Sequence, residues 1–231
     1  MPDFAEFETK IGLAFKNKNL LKQAFLHRSY INENPTISLD HNERLEFLGD
    51  AVLELVVTDY LFCQYPDRTE GELTAYRAAL VNAETLAQVA GDLGVNDYLL
   101  LSRGEQKDAG RARQTILANT FESIIGAIYL DRGYGAARDF ITRFLFPRTA
   151  EIVGQSLWQD AKSFFQEQAQ AAVNLTPRYE VLEQTGPDHD KTFTVGIYLR
   201  EELVATGSGS SKQRAEQEAA RQGLLVKGWN K

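Results

Sequence analysis

Three carboxylates, Glu43, Glu46 and Asp50, follow one another at i, i+3 and i+7, a spacing that sets them on one face of a helix. Leu45, Phe47, Leu48, Ala51, Val52, Leu53, Leu55, Val56 and Val57 surround them, which predicts a helix apolar on nearly every side and therefore buried. Acids are seldom buried unless they are paired or bound to a metal. A second apolar stretch, residues 117–131, carries Asn119 and Glu122 at i, i+3. Two such helices present Glu46, Asp50, Asn119 and Glu122 to one point. An oxygen-only set of this kind suits Mg²⁺, which binds a few carboxylates and keeps several waters. The matching chemistry is phosphodiester hydrolysis, in which a metal activates a water and a second ion stabilises the leaving oxygen.

The elements that must hold these residues can be read from the pattern. Residues 4–150 read as helix almost throughout: a first amphipathic turn or two around Phe4, Phe7, Ile11 and Leu13, then helices at 20–30, 41–64, 70–80, 83–92, 114–131 and 135–147. Pro66 ends the acid-bearing helix, and Gly94, Gly104, Gly110 and Gly133 punctuate the rest. After residue 150 the pattern changes. A helix over 160–172 precedes three alternating segments at 178–184, 192–199 and 202–208, and a helix over 211–226 closes the chain. The order is α-β-β-β-α, an α+β module with both helices on one face of the sheet.

Bulk properties restrict the classes available. The 231 residues suffice for one or two domains with a sizeable core. The net charge of −7 argues weakly against a nucleic-acid binder, and dividing the chain leaves −5 over residues 1–150 and −2 over residues 151–231. Any RNA contact must then come from local basic patches and be salt-sensitive. The single cysteine, Cys63, excludes a disulfide framework and a cysteine zinc site, and its place at the end of an apolar helix predicts a buried small hydrophobe. Asp3, Glu6 and Glu8 interrupt any signal-peptide pattern, and no run of about 18 apolar residues spans a membrane. A cytoplasmic protein is expected.

The run Asn42-Glu43-Arg44-Leu45-Glu46-Phe47-Leu48-Gly49-Asp50 resembles the signature of the ribonuclease III family. The resemblance implies a helical nuclease domain over 1–150, a linker over 151–159 and a double-stranded RNA-binding domain over 160–228. It implies a homodimer paired through the nuclease domain, around the signature helix. Each chain would hold one centre, and two centres would cut opposite strands with a short 3′ stagger, leaving 5′-phosphate and 3′-hydroxyl ends in rRNA and mRNA processing. The family's metal positions match Glu46, Asp50, Asn119 and Glu122, with Mg²⁺ as the metal and Mn²⁺ a possible substitute. The third position is commonly Asp. Asn119 brings no charge, so weaker metal affinity or an altered Mn²⁺ preference is expected, and a weak or inactive RNA-binding protein on the same fold stays open as an alternative. Glu43 and Glu70 match two further family acids and join Asp50, Glu122 and Glu46 as catalytic candidates. Local chemistry offers these two another role: Asp40-x-x-Glu43 and Thr69-x-x-Glu72 both fit helix-start boxes. His27, in a His-x-Ser shared with the family, is read as a structural hydrogen-bonding group.

The C-terminal module resembles the double-stranded RNA-binding domain through Gly186-Pro187-Asp188-His189, the Phe193/Val195 strand, Gly207-x-Gly209 and the run Ser211-Lys212-x-x-Ala215-Glu216-Gln217-x-Ala219-Ala220. Ser210-x-x-Gln213 can cap the last helix, whose N-terminus offers free N–H groups to phosphate beside Lys212, Gln213 and Arg214. Many relatives carry lysine where Gln213 stands. Ser163, Gln166, Glu167 and Gln170 match positions that face a minor groove, where neutral and acidic groups suit 2′-hydroxyls. His189 would reach the next minor groove. Arg103, Lys107, Arg111 and Arg113 form either a solvated loop or a rim that guides phosphates toward the metal-binding helix.

Overall fold

The structure, a computed structural model, describes residues 2–107, 110–154, 161–187 and 191–229. It divides into two compact units, Met1–Trp158 and Gln159–Lys231.

The first unit is helical: α1 (Phe4–Ile11), α2 (Lys18–Ala24), α3 (Arg28–Glu33), α4 (Glu43–Gln64), α5 (Glu70–Val81), α6 (Ala83–Asp92), α7 (Arg111–Arg132), α8 (Tyr134–Phe144) and α9 (Thr149–Gly154). Local chemistry sets most ends. Asp3 accepts from the Ala5 N–H to start α1, and Gly12 closes it at φ 70°. Thr69 and Glu72 form a reciprocal capping box at the start of α5. Tyr65 ends α4 just before Pro66. At the centre α4 packs on α7, with Leu45, Val52, Leu53, Val56, Val57 and Leu61 buried with Phe121, Ile124, Ile125 and Ile128 in one apolar cluster. An aromatic group of Phe7, Phe25 and Tyr98 fills one end of this core.

The second unit runs α10 (Ala161–Val173), β1 (Arg178–Thr185), β2 (Thr192–Leu199), β3 (Glu202–Gly209) and α11 (Lys212–Lys227). The strands pair antiparallel in the order β1-β2-β3, with Val195 opposite Val181 and Gly207. Phe165 and Ala169 of α10 join Ile197, Leu199, Val204, Ala219, Ala220 and Leu224 in a second core, so both helices cover one sheet face. A Cβ at Gly207 would lie 2.1 Å from the backbone nitrogen of Ala219, so only glycine lets α11 lie this close to β3.

Several expectations change. The helix expected over 20–30 breaks in two, because Leu26 bridges to Leu100 and His27 accepts from the Ser29 N–H to start α3 anew. Cys63 is exposed, not buried. It belongs to a solvent face of α4 that the apolar sequence concealed, with Phe47 80%, Leu55 58% and Phe62 71% exposed. α4 begins at Glu43 with Asn42 as its N-cap and without a side-chain cap, so Asp40 and Glu43 make no helix-start box. α7 begins at Arg111, which moves Arg111 and Arg113 out of the loop and into its first turn. The first residues expected as linker, 151–154, belong to α9, where Ile152 is buried against the core. Ser211, not Ser210, caps α11, accepting from the Arg214 N–H at 3.2 Å.

Candidate metal centre and nucleic-acid interface

α4 and α7 cross in opposite directions at two glycines. A Cβ on Gly49 would fall 1.8 Å from the Glu122 carbonyl oxygen, and one on Gly126 would fall 2.2 Å from the Leu45 carbonyl oxygen. The helices therefore touch backbone to backbone, which carries the acids of one to the polar pair of the other. Asn42 and Ser123 lock the same contact. Asn42 is buried, its Nδ2 donates to the Ala24 carbonyl at 3.2 Å, and its own carbonyl accepts from Ser123 Oγ at 3.3 Å.

This crossing brings the four expected ligands near enough for their charges and hydrogen bonds to act on one another. The side-chain amide of Asn119 donates to Glu46, which leaves its carbonyl oxygen as a neutral donor. Burial raises the Glu46 carboxyl above its usual range, the Asn119 bond opposes the rise, and the charges of Glu43 and Asp50 add to it. Glu122 is pushed up to about 8, first by burial and then by the charges of Asp50, Glu46 and Glu54. Among the described residues, no three His, Cys, Asp or Glu side chains are closed into a ready-made ligand group. The donors nevertheless fit a hard divalent cation: they are all oxygen, and burial and mutual repulsion raise both Glu46 and Glu122, a strain that a positive charge would relieve.

Glu122 has a consequence for stability. Its carboxyl is raised in the folded state, so its contribution is complete below about pH 4.5 and is lost as pH rises through about 8. In chelator-treated protein, melting followed across that window should reveal a loss of about 2–3 kcal/mol, discounted for residual solvent exposure. Glu122→Gln should flatten the curve, and an unchanged slope in that variant would assign the pH dependence elsewhere.

Other candidate residues fall outside the cluster. Glu43, exposed at the first position of α4, lies 3.5 Å from Arg28 and 3.7 Å from His41. Glu70 opens α5 and accepts from Thr74 Oγ1 at 3.0 Å. α5 runs back along α4 so that Arg77 meets Glu54, which leaves Glu70 about 10 Å further along its helix, away from Asp50. His27 behaves as expected. Its Nδ1 meets Ser29 Oγ at 2.8 Å, Ser29 Oγ accepts from the Ser102 N–H at 3.1 Å, and burial lowers the imidazole below its usual range. This anchors the start of the basic segment. There the Arg103 N–H donates to Glu33 at 3.2 Å, while the Arg103 and Lys107 side chains are exposed. Arg111 stands in the first turn of α7.

Glu54 was not read as a site residue, yet it lies one turn beyond Asp50 on the same stripe and its charge reaches Glu122. The signal was present in the spacing: Glu46, Asp50 and Glu54 continue at i, i+4 and i+8. Gly126 had no such signal, because its role depends on a crossing partner far away in sequence.

In the second unit, Ser163, Gln166, Glu167 and Gln170 share one face of α10 and, with Ala171, line an open depression. Lys212, Gln213 and Arg214 are exposed on the first turn of α11, beside the Ser211 cap. His189 lies outside the described residues.

Comparison with known proteins agrees with this geometry. Residues 17–149 match the family described as Ribonuclease-III-like, and residues 161–227 match the Double-stranded RNA binding motif. A protein named Ribonuclease 3 from Nitratiruptor sp. is 43% identical over 98% of this chain and 97% of its own length. A Ribonuclease 3 from Carboxydothermus hydrogenoformans is 45% identical over 94% of this chain and 92% of its own. The solved nuclease domain of ribonuclease III from Campylobacter jejuni, described for flexibility in a region involved in its dimer formation, superposes with a TM-score of 0.57. It is 39% identical and covers 63% of this chain and 97% of that one.

Proposed function

The chain belongs to the ribonuclease III family, and from that membership we infer that it is an endoribonuclease that cleaves double-stranded RNA. The observation that carries the reading is the meeting of Glu46, Asp50, Asn119 and Glu122 where α4 crosses α7. We assign these four as the residues that hold a divalent metal, Mg²⁺ with Mn²⁺ as substitute. When bound, the metal supplies Lewis acidity and an activated water for attack on phosphorus. The chain's own contributions are distinct. Glu46 and Asp50 would supply negative charge from α4, Asn119 orients Glu46, and Glu122 would serve as the anionic donor from α7. Glu43 and Glu70, kept as family-matched candidates, are assigned no contact with the metal. Products carry 5′-phosphate and 3′-hydroxyl ends.

The second unit holds the duplex. The stripe of Ser163, Gln166, Glu167 and Gln170 suits 2′-hydroxyls, and the N-terminus of α11 with Lys212 and Arg214 suits phosphates. Arg103 and Lys107, exposed ahead of α7, guide the backbone toward the acids. Among the described residues no helix is long and apolar enough to cross a membrane. We place the enzyme in the cytoplasm, acting on precursors of rRNA and on structured mRNA.

Purified protein incubated with an RNA hairpin should release fragments with a short 3′ stagger in either metal. Failure to cut with both metals, while binding persists, would leave only an RNA-binding protein on this fold.

The enzyme is a homodimer. Phe47, Leu55 and Phe62 form an exposed apolar stripe on α4, adjoining Ala51 and Thr58, of the kind that marks an interface. The double variant Phe47→Asp, Phe62→Asp should sediment as a monomer that still binds duplex RNA. A variant that remains dimeric would place the interface on another surface.

A further inference from the structure

The acid stripe of α4 does not end at Asp50. Glu54 lies one turn further on, and its Oε2 stands 2.9 Å from Nε of Arg77, which reaches across from α5. The same guanidinium donates through Nη1 to Thr58 Oγ1 at 2.9 Å, and Thr58 Oγ1 in turn donates to the Glu54 carbonyl at 2.7 Å. Glu54 is thus held at its carboxylate by Arg77 and at its backbone carbonyl by Thr58, which lies one turn beyond it on the side away from Asp50. The site described above makes no use of this arrangement.

We propose that Glu54 is a positioning acid for the metal centre and that Arg77 sets how much of its charge the centre receives. Glu54 holds no metal itself. It adds negative potential one helical turn behind Asp50 and Glu122, and Arg77 withdraws part of that potential while fixing the carboxylate's rotamer. The pair is only partly exposed, with side-chain accessibilities of 35% for Arg77 and 39% for Glu54, so its field is not fully screened by solvent.

Two variants of opposite charge separate the proposal from a structural role. Mn²⁺ binding to the full chain, without RNA and at fixed neutral pH, can be followed by the loss of the free-ion electron spin resonance signal. Glu54→Gln should weaken binding about threefold to tenfold. Arg77→Gln should tighten it or leave it unchanged, because the uncompensated Glu54 charge remains beside the centre. Equal weakening by both variants would mean that the pair merely braces the α4–α5 hairpin and would overturn the proposal, as would unaltered binding in Glu54→Gln.

The proposal rests on the assignment of the metal centre, and Glu122→Gln tests that assignment separately. Loss of Mn²⁺ binding in Glu122→Gln together with normal binding in Glu54→Gln refutes only the role of Glu54. Normal binding in Glu122→Gln refutes the centre itself.

Discussion

Glu122→Gln lowers the cleavage rate at least about a thousandfold, roughly 4 kcal/mol of barrier, and leaves double-stranded RNA binding intact. The amide keeps the size of the side chain and removes its charge, so the fold survives while the centre loses an anionic donor. Glu122 is also the acid most perturbed by its surroundings, with its carboxyl raised to about 8 by burial and by three neighbouring acids. The amide needs no proton to stay neutral in the folded state, so the chelator-treated variant should melt at a higher temperature than the parent at neutral pH. Single-turnover cleavage of a hairpin, a gel-shift titration and a melting curve give the three readings. Cutting at the parental rate would remove Glu122 from the centre.

Gly49→Ala is the second large effect. The added methyl meets the Glu122 carbonyl oxygen at 1.8 Å, its carbon at 2.6 Å and the Gly126 nitrogen at 2.9 Å. All three are backbone atoms, so no rotamer change makes room and the helices must separate. Alanine's better helix propensity returns only about 1 kcal/mol. Parting a packed helix pair costs more, and a net loss of about 3 kcal/mol with a fall in Tm of roughly 10 °C is expected. Gly71→Ala is the control, since nothing lies within 4 Å of its Cβ position in α5. It should be neutral or slightly stabilising. A Gly49→Ala protein as stable as the Gly71→Ala protein would rule out the close crossing.

The legible parts of this molecule were those encoded by local period. Spacing alone placed Glu46 and Asp50 on one face and Asn119 with Glu122 on another, because helical geometry converts sequence intervals into directions. Alternation located the three strands for the same reason. What stayed hidden depends on segments distant in sequence. The split between α2 and α3 follows from the bridge of Leu26 to Leu100, a contact that competes with a good helical pattern. The solvent face of α4 was unreadable because apolar residues look alike whether they face a core or water. The cap of α11 moved by one residue because the motif favours Ser210, with Gln213 three residues on, whereas the backbone turn places the neighbouring Ser211 at the cap. The displacement of Glu70 from Asp50 follows from the direction of the α4–α5 hairpin, which motif matching does not contain.

α4 carries its acids and its exposed apolar stripe on neighbouring faces of one continuous 22-residue helix. No loop or hinge intervenes between the surface proposed to pair with a second chain and the acids proposed to hold the metal. When two copies pair through this helix, the spacing of their cutting points is fixed by a stiff rod and not by the posture of flexible segments. On that proposal the enzyme would behave as a gauge block: fragments would differ in sequence from one RNA to the next, but the offset between the two nicks would stay constant.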